Sequence, residues 1–414
     1  MKNKVWIKKI MCLTLSTALV AALVPDTHTS MPAQASSGAL KVSKFYKMME
    51  EGIGISSADI EKESGIPNTG NANLTNERAA VIAQAADKLK NKDSYNKNIY
   101  RKVVKYKRVR DLQSVTMNWQ DDVQKIFTKG IMVGKSNGKC TQDRSFNPNV
   151  RVTAAEAKAI VKRVKSKKSR FKLSPDGQVI RTNNLPKTAK KYKYILASFP
   201  NSFYDAPMKY CLYTSKVTRG KDYQWPSQLY KQTLNTGYEK MNLGKWMDKY
   251  GQEKADLIKK NLETRLSFNY KKSGNAWFNK LRKTYWISGD AVYDRITSNA
   301  IRKYMKAAKK NKVSIRYSQI TVEPSSAYSC SGIYYRCYIR FKVNCKKWYT
   351  PNSDKQNQLI FGDTVYITNM KKNQWCSGYF DISVDATTYG QPFGTETLMD
   401  SDYFGRPERH NKLF

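Results

Sequence analysis

Apolar residues recur at helical spacing through the first third of the chain; further on, helical spacing gives way to alternation. Trp119, Val123, Ile126 and Phe127 fall on one helical face, and Ala157, Ile160, Val161 and Val164 fall on another. Further helical patterns cover 226–247, 251–269, 275–286 and 291–311, the last with Val292, Ile296, Ile301, Tyr304, Met305 and Ala308 near one face. Strand patterns follow at 313–322, 332–345, 358–368 and 375–384, separated by Ser/Gly/Asn/Asp-rich turns. Helices followed by strands predict an α+β protein: N-terminal helical repeats, then a domain of several helices and an antiparallel β-sheet.

The two N-terminal faces belong to an internal repeat. Residues 41–92 align without a gap on residues 119–170, at a constant offset of 78. Gly52-Ile53 then matches Gly130-Ile131, Leu74-Thr75 matches Val152-Thr153, and Ile82 matches Ile160. Each copy reads as helix, loop, helix. Gly130 predicts a left-handed stop for the first helix of the second copy. Thr153 with Glu156 three residues on predicts a capping box for its second helix.

The second copy, from Trp119 through Gly130-Ile131-Met132-Val133-Gly134, Asn137-Gly138-Lys139-Cys140 and Phe146-Asn147-Pro148 to Val152-Thr153-Ala154-Ala155-Glu156, resembles an S-layer homology repeat. That family's pattern is a Trp-led helix, a G-I-x-x-G turn, a D-G-x-F-x-P loop and an I-T-R-A-E helix start. The resemblance covers roughly residues 40–168, and the first copy keeps Gly52-Ile53 and Leu74-Thr75 but lacks the loop Phe and Pro. It implies helical prongs that hold a protein at the cell wall by binding secondary wall polymers. The residues it implicates in polymer binding are Thr75, Arg78, Trp119, Gly130, Gly134, Lys135, Thr153 and Glu156. Two departures are visible: two repeats stand where the family usually has three, and the Arg of I-T-R-A-E is Asn76 in one copy and Ala154 in the other.

The N-terminus agrees with that location. Lys2, Lys4, Lys8 and Lys9 precede an apolar run from Ile10 to Val24, and Ala33-Gln34-Ala35 follows as a small-x-small cleavage signal. This is the pattern of a secretory signal peptide over residues 1–35, its apolar run shorter than the roughly 20 residues of a membrane span. The expected organisation is thus a signal peptide (1–35), a degenerate repeat (36–92), a linker and second repeat (93–168), a basic linker (169–191) and a C-terminal α+β domain (192–414). No transmembrane helix is expected after cleavage, the expected location is the cell wall or cell surface, and the oligomeric state stays open.

Charge sharpens the choice of partner. The chain is formally +41, and loss of four lysines and one aspartate with the signal peptide lowers it to +38. Residues 101–110 hold six basic side chains and residues 162–172 hold seven with no acid. Such a surplus attracts polyanions. Export sets nucleic acid aside and leaves an anionic secondary cell-wall polymer or a peptidoglycan-linked glycan as the expected partner.

Catalytic chemistry is scarce. Of the two histidines, one lies in the signal peptide and the other is His410, so neither a Ser-His-Asp nor a Cys-His arrangement has its base. Six cysteines remain after cleavage, without a C-x-x-C pair, so no metal and no cofactor are expected. Cys337 and Cys345, about 26 Å apart along one strand, cannot pair with each other. Two readings stand open: pairing of Cys337 or Cys345 with Cys330 or Cys376 across a neighbouring strand, or free buried thiols. An enzyme is less favoured than a binding or structural module. A glycosidase needs only two carboxylates, and Glu239, Glu253 and Glu263 are available for a carbohydrate-active enzyme; a protein-binding adhesin is the other alternative. On the strand 333–345, Tyr335, Cys337, Ile339, Phe341 and Val343 alternate with Tyr334, Arg336, Tyr338 and Arg340. The second set is a candidate glycan-binding face, by Tyr stacking and Arg hydrogen bonds, or else a solvated sheet face.

Overall fold

The computed structural model describes residues 40–206, 228–235, 240–285, 291–329, 333–349, 358–362, 364–365, 370–384 and 403–404. The expected signal peptide lies outside them. The protein is α+β, and no described helix is long and apolar enough to cross a membrane.

The repeat offset reappears in the helices. The first copy holds α1 (Val42–Ile53), α2 (Ser57–Ser64) and α3 (Asn76–Asn91). After α4 (Lys97–Lys105), the second holds α5 (Gln120–Thr128), the hairpin β1 (Lys135–Ser136) with β2 (Arg144–Ser145), and α6 (Ala154–Lys165). Thus α1 and α5 begin 78 residues apart, as do α3 and α6. The caps match too: Thr75 accepts from the Arg78 amide, and Thr153 accepts from the Glu156 amide in a complete capping box. The copies differ between their helices. Ser56 caps an extra helix, α2, in the first, whereas the Gly-rich turn of the second closes a hairpin.

The aligned glycines do different jobs. Gly130 takes φ +68° and ends α5, its amide donating to the Phe127 carbonyl at 2.8 Å. Gly52 is still helical, and α1 ends at Gly54. A Cβ on Gly52 would lie 2.3 Å from Val161 Cγ1, so this glycine permits close contact between α1 and α6. Helix α1 packs on α6 and α3 on α5, around a core that includes Phe45, Tyr46, Ile82, Val123, Phe127 and Ile160.

Residues 169–191, expected as a basic linker, carry packed structure. Leu173 bridges Val179, Ile180 bridges Leu196, and Ser174, Asp176 and Gln178 are buried. Arg108, from the first basic block, donates to Asp176 at 2.6 Å with both side chains inaccessible.

The C-terminal part begins with α7 (Asn201–Asp205) and the hairpin β3 (Thr233–Asn235) with β4 (Lys240–Asn242). Helices α8 (Leu243–Arg265), α9 (Asn275–Arg282) and α10 (Ala291–Lys310) follow. The helix expected over 226–247 is therefore replaced by a hairpin, and α8 starts where Asn242 accepts from the Gly244 amide. The break expected at 247–251 is absent. The helix runs through Gly251, and burial of Trp246, Ile258 and Leu262 outweighs the roughly 1 kcal/mol that a mid-helix glycine costs.

The sheet centres on β7 (Ile333–Asn344). Strands β5 (Ser314–Val322) and β6 (Tyr328–Ser329) take successive stretches of one edge, and β9 (Cys376–Val384) takes the other, all antiparallel. Of the strand expected at 358–368, residues 358–362 form turns instead, and the described strand is β8 (Thr364–Val365), paired in parallel with β10 (Tyr403–Phe404). Helices α8 to α10 cover one sheet face, over Tyr335, Cys337, Ile339, Phe341 and Val343. Tyr192, Leu196, Phe199, Phe203 and Tyr204 cover the other.

The described cysteines are Cys140, Cys337, Cys345 and Cys376, all buried. Cys337 faces Phe380 and Cys376 faces Phe341 across β7 and β9, while the Cys345 thiol is free and donates to the Lys347 carbonyl. Cys211 and Cys330 lie outside the described residues.

Candidate functional site

The junction between the two repeats gathers part of the sequence-derived wall-polymer set. Thr75 pairs with Arg151 in an antiparallel bridge, and the Val152 amide donates to the Leu74 carbonyl. The Asn76 amide donates to the Val150 carbonyl and the Glu77 amide to Pro148. The Asn76 side chain, where the family pattern has Arg, donates to the carbonyls of Phe146 and Asn147. The first turn of α3 is thus occupied by the loop of the second repeat.

The remaining members are dispersed. Arg78 is half-buried and donates to the Asn73 carbonyl at 3.0 Å. Trp119 precedes α5, half-buried against the core, and Gly130 follows its other end. Gly134, at φ +63°, passes so close to Ser145 that a Cβ would lie 2.4 Å from its carbonyl oxygen. Lys135, exposed on β1, is the one cation of the set presented fully to solvent. Thr153 and Glu156 cap α6 and are exposed.

At the C-terminal ends of α3 and α5 lies an ionic network. The Lys129 ammonium, inaccessible to solvent, is 2.9 Å from both Asp87 and Asp93 and donates to Gln84. Arg170 donates to Asp87 from the second basic block, and Arg163 of that block donates to the Ile131 carbonyl. Two of the seven cations there therefore serve the interior. Lys162, Lys165, Lys167, Lys168 and Lys172 are exposed.

The candidate glycan face on β7 is not open. Tyr334 stacks on Tyr328, with ring centroids 5.4 Å apart. Arg336, only 3% exposed, donates to Asp381 and to the carbonyls of Phe203 and Ala206. Tyr338 is buried near Tyr379, and Arg340 alone is half-exposed, stacked over Trp375 at 4.5 Å. The face expected to meet glycan or solvent instead meets the aromatic segment 192–206. Alternation along a strand reveals which residues share a side; it does not reveal a second apolar layer that covers that side.

The structure adds two features that sequence reasoning missed. Glu323, just after β5, is fully buried, and its carboxylate accepts from the Ser325 amide and hydroxyl. Burial pushes its carboxyl up to about 8, aided by Asp176, although the Ser325 hydrogen bonds pull the other way. The folded value lies above the unfolded one, so this group's contribution is complete below about pH 4.5. It is then lost as pH rises through about 8, at up to about 1.4 kcal/mol per pH unit. In urea titrations from pH 5 to 8.5, Glu323→Gln should gain steadily on the native protein as pH increases. A gap that stays constant across that range would remove Glu323 as the cause.

The second feature is a cleft of about 390 Å³ where α4 and the turn at Pro175 meet α8. Tyr106, Tyr194, Gln252, Glu253, Asp256 and several lysines line it. Tyr106 donates to Asp256 at 2.9 Å, and Gln252 donates to the other oxygen of the same carboxylate at 2.7 Å. Burial and the neighbouring Asp256 raise the Tyr106 phenol, which keeps it a donor. In sequence, Gln252 and Asp256 read as an ordinary i,i+4 pair, and no pattern signals a partner 150 residues away. Of the glycosidase candidates, Glu253 lies on this cleft, Glu263 lies elsewhere on α8 and Glu239 is outside the described residues. Among the described residues no group of Cys, His, Asp and Glu is placed to hold a metal.

Comparison with protein-family models, curated proteins and solved structures finds no match to the chain.

Proposed function

We propose that this is an exported cell-surface protein, held non-covalently at the cell wall through S-layer-homology-like repeats and strong positive charge. The C-terminal domain is then a binding or structural module carried there. The observation that supports this reading most is the repeat pair itself: equivalent helices and equivalent threonine caps at one constant offset, next to five exposed lysines on residues 162–172. The partner is an anionic secondary cell-wall polymer or a peptidoglycan-linked glycan. Lysines spread in this way supply attraction without the fixed geometry of an arginine fork.

Co-sedimentation with purified sacculi tests it. The protein should pellet with sacculi that carry their polymers and stay in solution once those polymers are chemically stripped. Retention should also fall steeply between 0.1 M and 1 M salt, as the Debye length contracts from about 10 Å to about 3 Å. Undiminished binding to stripped sacculi would overturn polymer recognition, and salt-resistant binding would overturn retention by charge.

A further inference from the structure

We propose that the cleft between α4 and α8 binds an acidic oligosaccharide. The proposal rests on the wall-associated reading only for the source of that saccharide, because the cleft's chemistry stands by itself. Its volume of about 390 Å³ lies within the roughly 300–1,000 Å³ usual for small-ligand sites. It also sits where two separate cores meet, a favoured place for such sites.

The lining selects the ligand. Asp176 is neutralised by Arg108 and Asp248 by Lys193, so neither presents an uncompensated anion to an occupant. Lys102, Lys105 and Lys260 remain beside Glu253 and Asp256. The two carboxylates disfavour a densely charged polyphosphate, and the lysines favour a ligand with some negative charge. Asp256 is held by Tyr106 and Gln252, so a fixed acceptor lies beside an amide. That pairing suits vicinal hydroxyls, which donate and accept at once. The Tyr194 ring supplies an apolar face for sugar C–H groups, while the Tyr106 ring already carries Lys102, Lys105 and Arg108 over it. Behind the lining, the buried Tyr335 hydroxyl has no hydrogen-bond partner among the described residues. It and the Pro324 carbonyl both lie within 4 Å of where a Cβ on Gly251 would sit. One fixed acceptor, an aromatic wall and spaced cations together fit a chain of sugars with carboxylates at intervals.

Calorimetric titration of the purified protein with trigalacturonic acid tests this, with maltotriose as the neutral arm and inorganic phosphate as the anion-only arm. Trigalacturonic acid should bind at least about tenfold more tightly than maltotriose, and phosphate at equal concentration should not displace it. Asp256→Asn and Lys105→Gln should each weaken binding about tenfold, the scale of one charge-assisted hydrogen bond. The pair Lys167→Gln and Lys168→Gln, on the exposed basic run, should leave it unchanged. Equal losses at both places, displacement by phosphate, maltotriose binding as tight as the acid, or no binding at millimolar concentration would each overturn the proposal. Sedimentation with sacculi separates the two readings. A protein that pellets with intact sacculi yet ignores trigalacturonic acid defeats the cleft and leaves wall retention standing. One that binds the trisaccharide but not sacculi does the reverse.

Discussion

Arg336→Met should cost the C-terminal domain about 3–5 kcal/mol, read as a lowered urea midpoint. The guanidinium is 3% exposed and meets Asp381 through two nitrogens, at 2.9 and 3.2 Å. It also donates to the carbonyls of Phe203 and Ala206, and so fastens the covering segment to the sheet. Methionine fills much of the space but leaves Asp381 buried without its cation, and breaking a buried pair from one side carries a penalty of this size. Tyr328, which donates to Asp381 at 3.0 Å, cannot neutralise that charge. The double variant Arg336→Met with Asp381→Leu should recover part of the loss, because removing both charges avoids the stranded ion. A loss below about 1 kcal/mol for the single variant would show that the pair adds little to holding the two layers together.

Lys129→Met should destabilise the repeat pair by about 3 kcal/mol or more. Its ammonium is fully inaccessible and lies 2.9 Å from Asp87 on α3 and from Asp93. Without it, Asp87 retains Arg170, while Gln84 keeps Asp93 but loses the ammonium donor to its oxygen. Lys129→Arg should fail to restore stability, because a planar guanidinium needs more room than a compact ammonium at an inaccessible site. Thermal melts of the three proteins check this. Full stability in Lys129→Met would mean that Arg170 alone satisfies Asp87.

What could be read from sequence divides by the range of the interaction. The repeat offset, the Thr153–Glu156 capping box and the Gly130 stop are local, and spacing along the chain determines each. The strands at 313–322 and 375–384 announced themselves by alternation and differ by a residue or so at their ends. The hairpin at 233–242 was hidden because its short strands merge into the apolar period of the helix that follows. The candidate sites were less legible. Arg336 and Arg340 look alike in sequence, yet one is sealed under Phe203 and the other stacks half-exposed on Trp375. Arg170 reads as a member of a basic block, and nothing in the sequence marks Lys129, until Asp87 is brought to both from α3. The cleft joins Tyr106 to Asp256 across 150 residues, and no periodicity reports a meeting of that kind.

The antiparallel bridge between the repeats has a consequence for their number. Leu74 and Val152 are equivalent residues of the two copies, and they face each other across it. Packing of α1 on α6 and of α3 on α5 is likewise one contact made twice with the copies exchanged. The helix contacts at the junction are therefore isologous, although the Leu74 amide donates to the Leu40 carbonyl and not back to Val152. A self-complementary contact is saturated by two partners. The repeat pair is in this sense a dimer written into one chain.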